Sequence, residues 1–233
     1  MRDRFNLERP AVWSRIGVDA ELDIDGRRIP FELKSTTKGS VSTVRDLSPR
    51  HISAWRGKHW LIAFYDRSGR HFQYAVYGSP AAMDPWIRGM AAYIAPDLKM
   101  AEMIPPLIQL PTLHQVLGDK SIYAFEDAKN LLKVQPKLLE ALLTDYGVPF
   151  GPKDTLGTKY RKLMDLQDGY SAQRMLEILR RRCQYLLLRG ATLNNPSIPS
   201  AHFSGWPQLT KAEQLGALVR EYLQKASATE TAS

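Results

Sequence analysis

Val18-Asp19-Ala20-Glu21-Leu22-Asp23-Ile24-Asp25-Gly26-Arg27-Arg28-Ile29-Pro30-Phe31-Glu32-Leu33-Lys34-Ser35 reads as a β-hairpin. Ala20, Leu22 and Ile24 alternate with Asp19, Glu21 and Asp23, the period of a half-buried strand. Asp25-Gly26 suits the two left-handed positions of a two-residue hairpin turn. Ile29, Phe31 and Leu33 then alternate with Pro30, Glu32 and Lys34. The period of two aims Glu32 and Lys34 the same way and brings a carboxylate of the first strand near them. Two carboxylates and an amine converging at a sheet edge make a divalent-metal site with a cation beside it. Phosphodiester hydrolysis uses such a site.

Around this hairpin the chain has 233 residues, enough for one large domain or a core with an appendage. Its 44% hydrophobic and 24% charged residues are ordinary for a soluble globular protein. The net charge of +8 and pI of 9.6 favour a polyanionic partner, nucleic acid first. Cys183 is the single cysteine, so no internal disulfide forms, and a reducing cytoplasm is the expected location. No apolar run is long enough for a membrane span, and the start of the chain lacks a secretory h-region.

Leu7, Ala11, Val12 and Arg15 fall at helical spacing and predict a short helix over 6–16. Thr36 to Leu47 reads as a polar loop. Ser48-Pro49 opens a helix that runs through Trp55. His59-Trp60-Leu61-Ile62-Ala63-Phe64-Tyr65 is an almost unbroken apolar run, as in a strand covered on both faces. A turn at Arg67–Arg70 leads to a further strand over Phe72–Tyr77. Beyond Ala81 the pattern is helical, with helices expected at about 84–94, 97–103, 124–133, 136–146, 171–189 and 210–225. The fold class is therefore α/β: a short mixed sheet flanked by helices, with a mainly helical C-terminal part. Gly147–Gly157 is Gly/Pro-rich and sets the expected boundary, giving a core with helical extension at 1–150 and a helical part at 151–225, a candidate for contacting DNA or another copy. Residues 226–233 read as a disordered tail.

Hard carboxylate oxygens suit Mg²⁺, which is held by one or two carboxylates and keeps several waters. Asp19 and Glu32 supply such oxygens, and the carbonyl of Leu33 offers a third. Lys34 is placed to orient the attacking water or to balance charge on the phosphate. Val18-Asp19 followed thirteen residues later by Glu32-Leu33-Lys34 resembles the PD-(D/E)xK nuclease superfamily. Ser35-Thr36-Thr37, the Ser/Thr/Arg loop, Arg50-His51-Ile52-Ser53-Ala54-Trp55 and the strand from His59 look like its type II restriction endonucleases. The resemblance covers roughly residues 5–80, with Val18 in place of the family's proline. It implies a restriction-endonuclease-like core, a Mg²⁺-dependent cut in double-stranded DNA and, often, a homodimer. Asp19 is then the first acid, Glu32 the second and Lys34 the lysine. Glu8, on the expected first helix, sits where some members carry an accessory acid. Glu21 and Asp23 share the face of Asp19, and the alternation alone does not choose among the three; the resemblance favours Asp19.

Lys38, Ser42, Thr43, Arg45, Arg50, Arg56 and Lys58 follow closely and are the candidate DNA contacts, since arginines and hydroxyls on a loop suit phosphates and guanine edges. Arg180-Arg181-Arg182 reads as a solvated helix face, while Lys159, Arg161 and Lys162 are further candidates for backbone contact. The five histidines show no ligand spacing, and no phosphate-binding glycine loop appears, so zinc and nucleotide cofactors are not expected. Three function readings remain at this stage. They are a restriction endonuclease, a structure-specific repair or junction nuclease on the same core, and a non-catalytic DNA-binding protein. The plainest alternative for the hairpin is a solvated edge with weak ion pairs, which leaves three stacked carboxylates to repel one another.

Overall fold

The computed structural model describes residues 1–11, 17–45, 47–133, 135–164, 169–191 and 195–231. The chain is α/β and forms two compact units, Met1–Ile94 with Thr192–Ser233, and Ala95–Ala191. The first unit is built on a mixed five-stranded sheet of order β1-β2-β4-β5-β9. Strands β1 (Ala20–Ile24) and β2 (Arg27–Thr36) are the expected hairpin, in antiparallel register. Asp25 and Gly26 turn it with φ of 56° and 82°, and Asp23 Oδ1 accepts from the Gly26 N–H at 2.9 Å. A short strand β3 (Val41–Ser42) and helix α1 (Pro49–Trp55) carry the chain across to β4 (His59–Tyr65), which runs parallel to β2. Strand β5 (Phe72–Gly78) returns antiparallel.

The alternation of the sequence sorts the side chains onto two buried faces. Leu22, Ile24, Phe31, Leu61 and Ala75 pack on one side against Leu215 and Val219 of a late helix. Trp60, on the other side, packs against Trp55 of α1 and against Trp86 of α2 (Pro80–Met103), with ring centroids 5.8 and 6.3 Å apart. Both faces of β4 are buried, which is why it reads as apolar throughout.

The second unit is helical. After the end of α2 come α3 (Leu110–Leu117), β6 (Ile122–Tyr123), α4 (Phe125–Leu132), α5 (Pro136–Asp145), α6 (Leu156–Leu163), β7 (Tyr170–Ser171) and α7 (Ala172–Ala191). Leu132, Leu139, Leu143, Tyr160, Leu163 and Met175 meet in its core. The chain then returns to the first unit through β8 (Ser197–Ile198), α8 (Ser200–Phe203), β9 (Gln208–Leu209) and α9 (Ala212–Thr231). No helix of the described residues is long and apolar enough to cross a membrane.

Four expectations differ from what forms. Asn6 is left-handed and Glu8 forms a two-way backbone bridge with Glu21, so the expected helix at 6–16 is extended in its described first half; Val12–Ile16 lie outside the described residues. The helices expected at 84–94 and 97–103 are one, α2, which passes through Pro96 at the loss of one backbone bond. The division expected after 150 falls inside the helical unit, because Leu139, Leu142 and Leu143 pack with Tyr160 and Leu163 across Gly147–Gly157. The segment expected as a disordered tail from 226 continues α9 to Thr231, since Leu223 still packs on the sheet core at that end of the helix.

Candidate active site

Asp19 stands one residue before β1, and its backbone N–H donates to Phe31 O at 3.0 Å. Its carboxylate then takes the place of a backbone acceptor: Oδ2 accepts from the Leu33 N–H at 2.9 Å. The pair Ala20–Phe31 is the last full rung of the hairpin, and one step further the register sets Asp19 opposite Glu32. A strand residue's N–H and C=O leave on the same edge. The Leu33 carbonyl therefore lies on the Asp19 edge, as a third oxygen donor must.

Glu32 is 5% exposed, an unusual place for a carboxylate, and it is satisfied by two lysines. Lys34 Nζ donates to Oε1 at 2.6 Å. Lys58 Nζ donates to Oε2 at 2.8 Å and to the Gly17 carbonyl at 2.5 Å. Glu32 and Lys34 lie on the β2 face shared with Trp60 and Ile62 of β4, their neighbours in the parallel register.

The two acids respond oppositely to this setting. Burial, and then the charge of Glu32, push the Asp19 carboxyl above its ordinary value; the Leu33 N–H and the two ammoniums only partly offset this. Burial also acts to raise Glu32, but Lys34 and Lys58 together hold it below its ordinary value.

The donor set fits a small hard cation. It offers two carboxylates and a carbonyl, and the repulsion that raises Asp19 is what a divalent ion between the acids relieves. Among the described residues no three His, Cys, Asp or Glu side chains cluster as a complete metal cage. A Mg²⁺ held here would draw the rest of its shell from water and substrate.

The accessory acids are not brought to the pair. Glu8 lies on the bridge to β1 instead of a helix, and both it and Glu21 reach Arg28, at 3.7 and 3.0 Å. Asp23 is taken by the hairpin turn. Of the expected DNA contacts, Lys38, Ser42, Arg45, Arg50 and Arg56 are exposed. Thr43 is not free: its hydroxyl and N–H both donate to the Pro196 carbonyl. Lys58 is the clear correction, a 5% exposed residue bound to Glu32 and no surface contact. Two positions ahead of Trp60, it shares that residue's face by strand periodicity, which was the available signal. In the helical unit Arg180, Arg181, Lys159 and Lys162 pair with Glu177, Asp145, Glu140 and Asp154. Beyond the C-terminal end of Lys34, Ser35, Thr36, Thr37, Lys38, Ser40 and Ser42 line an open groove of about 800 Å³.

In comparisons with known proteins, the chain matches no protein-family model and no curated sequence.

Proposed function

We propose that this chain is a Mg²⁺-dependent endonuclease of the PD-(D/E)xK type, with a restriction-endonuclease-like core that hydrolyses double-stranded DNA at a short sequence. The observation that carries the reading is the convergence of Asp19, Glu32 and Lys34 on one end of one hairpin, with Leu33 between them. The net charge of +8 and the hydroxyl-lined groove with Lys38 beside that hairpin support a polyanionic substrate.

In this reading Asp19, Glu32 and the Leu33 carbonyl hold Mg²⁺, which when bound polarises the scissile phosphate and makes its water a better nucleophile. Asp19 keeps its carboxylate aimed by accepting from the Leu33 N–H. Lys34, half-buried and tied to one oxygen of Glu32, supplies a positive charge for the developing phosphorane and a donor to orient the attacking water. Lys38 and the exposed arginines at 45, 50 and 56 engage the backbone and base edges. A homodimer on DNA, each copy cutting one strand, is part of the proposal.

Incubation of the protein with an unmethylated plasmid and Mg²⁺ tests it. Discrete fragments are expected, abolished by Lys34→Ala with DNA binding retained. Smearing or junction-only cutting points to the repair-type nuclease, and binding without any cleavage overturns the enzyme reading.

A further inference from the structure

The two ammoniums on Glu32 are not equivalent. Lys34 Nζ holds Oε1 alone and its side chain keeps 15% exposure. Lys58 Nζ holds both Oε2 and the Gly17 carbonyl, its side chain is 6% exposed, and it directly precedes β4, whose ladder to β2 fixes its backbone. A cation with two partners and almost no water is anchored. One with a single partner and solvent at hand can leave. Resting on the nuclease reading above, we propose that Lys58 is a positioning residue that pins Oε2 of Glu32, so that Glu32 offers a metal only Oε1, the oxygen Lys34 gives up.

The two lysines then have different jobs. Lys58 keeps a buried carboxylate charged and in one rotamer. Lys34, released from Oε1, becomes free for the phosphate.

Calorimetric titration of the full chain with Mn²⁺, without DNA, reads the site independently of cleavage. Lys58→Met keeps the aliphatic stem and removes one positive charge beside the acids. Mn²⁺ is expected to bind at least about threefold more weakly, because Glu32 loses the cation that keeps it charged and in one rotamer, and cleavage in saturating Mg²⁺ falls about tenfold or more because Glu32 is no longer held in place. Lys58→Arg, which keeps the cation, is expected to restore wild-type Mn²⁺ affinity. Side-chain ¹⁵Nζ spectra of the wild-type protein give a second measurement that needs no variant to fold: added Mg²⁺ should move the Lys34 signal and leave that of Lys58. A Lys58→Met protein with unchanged Mn²⁺ affinity and unchanged cleavage overturns the proposal, as does a Mg²⁺ shift confined to Lys58. A wild-type chain that neither binds Mn²⁺ nor cuts DNA overturns the nuclease reading and this one with it.

Discussion

Asp19 and Glu32 carry the same charge in adjoining places, yet removing that charge should have opposite effects on stability. Asp19 is a carboxylate whose neighbourhood favours the protonated form. Asp19→Asn keeps an oxygen for the Leu33 N–H and removes repulsion, so it should abolish cleavage while leaving stability unchanged or raising it by up to about 1 kcal/mol. Glu32 instead neutralises two largely buried ammoniums. Glu32→Gln removes the one carboxylate that both ammoniums contact and should cost about 3 kcal/mol or more. Urea denaturation of the two variants at neutral pH checks the difference in sign. Asp19, Glu32 and Lys34 were readable as a group because strand periodicity and a two-residue turn are local rules. Lys58 escaped that reading because its partner is 26 residues away across a parallel pairing; strand periodicity places it on the face of Trp60 but does not name the carboxylate it meets there.

Elements with strong local rules formed where the residues predicted them, namely the hairpin, α1, β4 and β5. The turn shows how far such rules can be tested. A Cβ on Gly26 would meet nothing within 4 Å, so the cost of adding one is conformational, set by its φ of +82°. Gly26→Ala should destabilise by about 1–2 kcal/mol without altering the packed core. Gly78 is the opposite case: a Cβ there would lie 2.3 Å from the Trp206 ring. Gly78→Ala should therefore displace Trp206 and shift tryptophan emission as well as the unfolding midpoint. The elements that sequence patterning missed depend on distant partners. Strand β9 is two residues long and exists because it completes the edge of β5; Leu7–Glu8 is extended because Glu21 offers it a backbone bridge. The apolar spacing from Leu7 onward argued for a helix, and at Leu7–Glu8 pairing overrode it.

At the level of the whole chain, the split into a sheet unit and a helical unit makes acid sensitivity unequal. His59 is 3% exposed, sits between Phe31, Tyr77 and Tyr222, and shares a 2.8 Å hydrogen bond through Nδ1 with the Tyr77 hydroxyl. Burial, and then Arg27, lower its pKa from 6.5 to about 4. A histidine held neutral in the fold and charged after unfolding contributes nothing to pH dependence above 6.5. Between 6.5 and about 4 the unfolded chain takes up the proton and stability falls with pH, by about 3 kcal/mol in all. His202, also lowered by burial, adds to the same loss, and Glu32, a carboxylate held low, adds to it only as pH drops below its ordinary range. All three belong to the sheet unit, and so do Trp55, Trp60, Trp86 and Trp206; the one histidine of the helical unit's sequence is His114, partly exposed near Asp119. Tryptophan fluorescence should therefore show a urea midpoint that drops steadily from pH 7 to pH 4.5, with His59→Gln removing more than half of the slope. The urea midpoint at which the Cys183 thiol on α7 opens to a thiol reagent, a probe of the helical unit, should move far less over the same range. Equal acid sensitivity of the two signals would mean that the units unfold as one, and an unchanged slope in His59→Gln would mean that His59 is not the group that acid exploits.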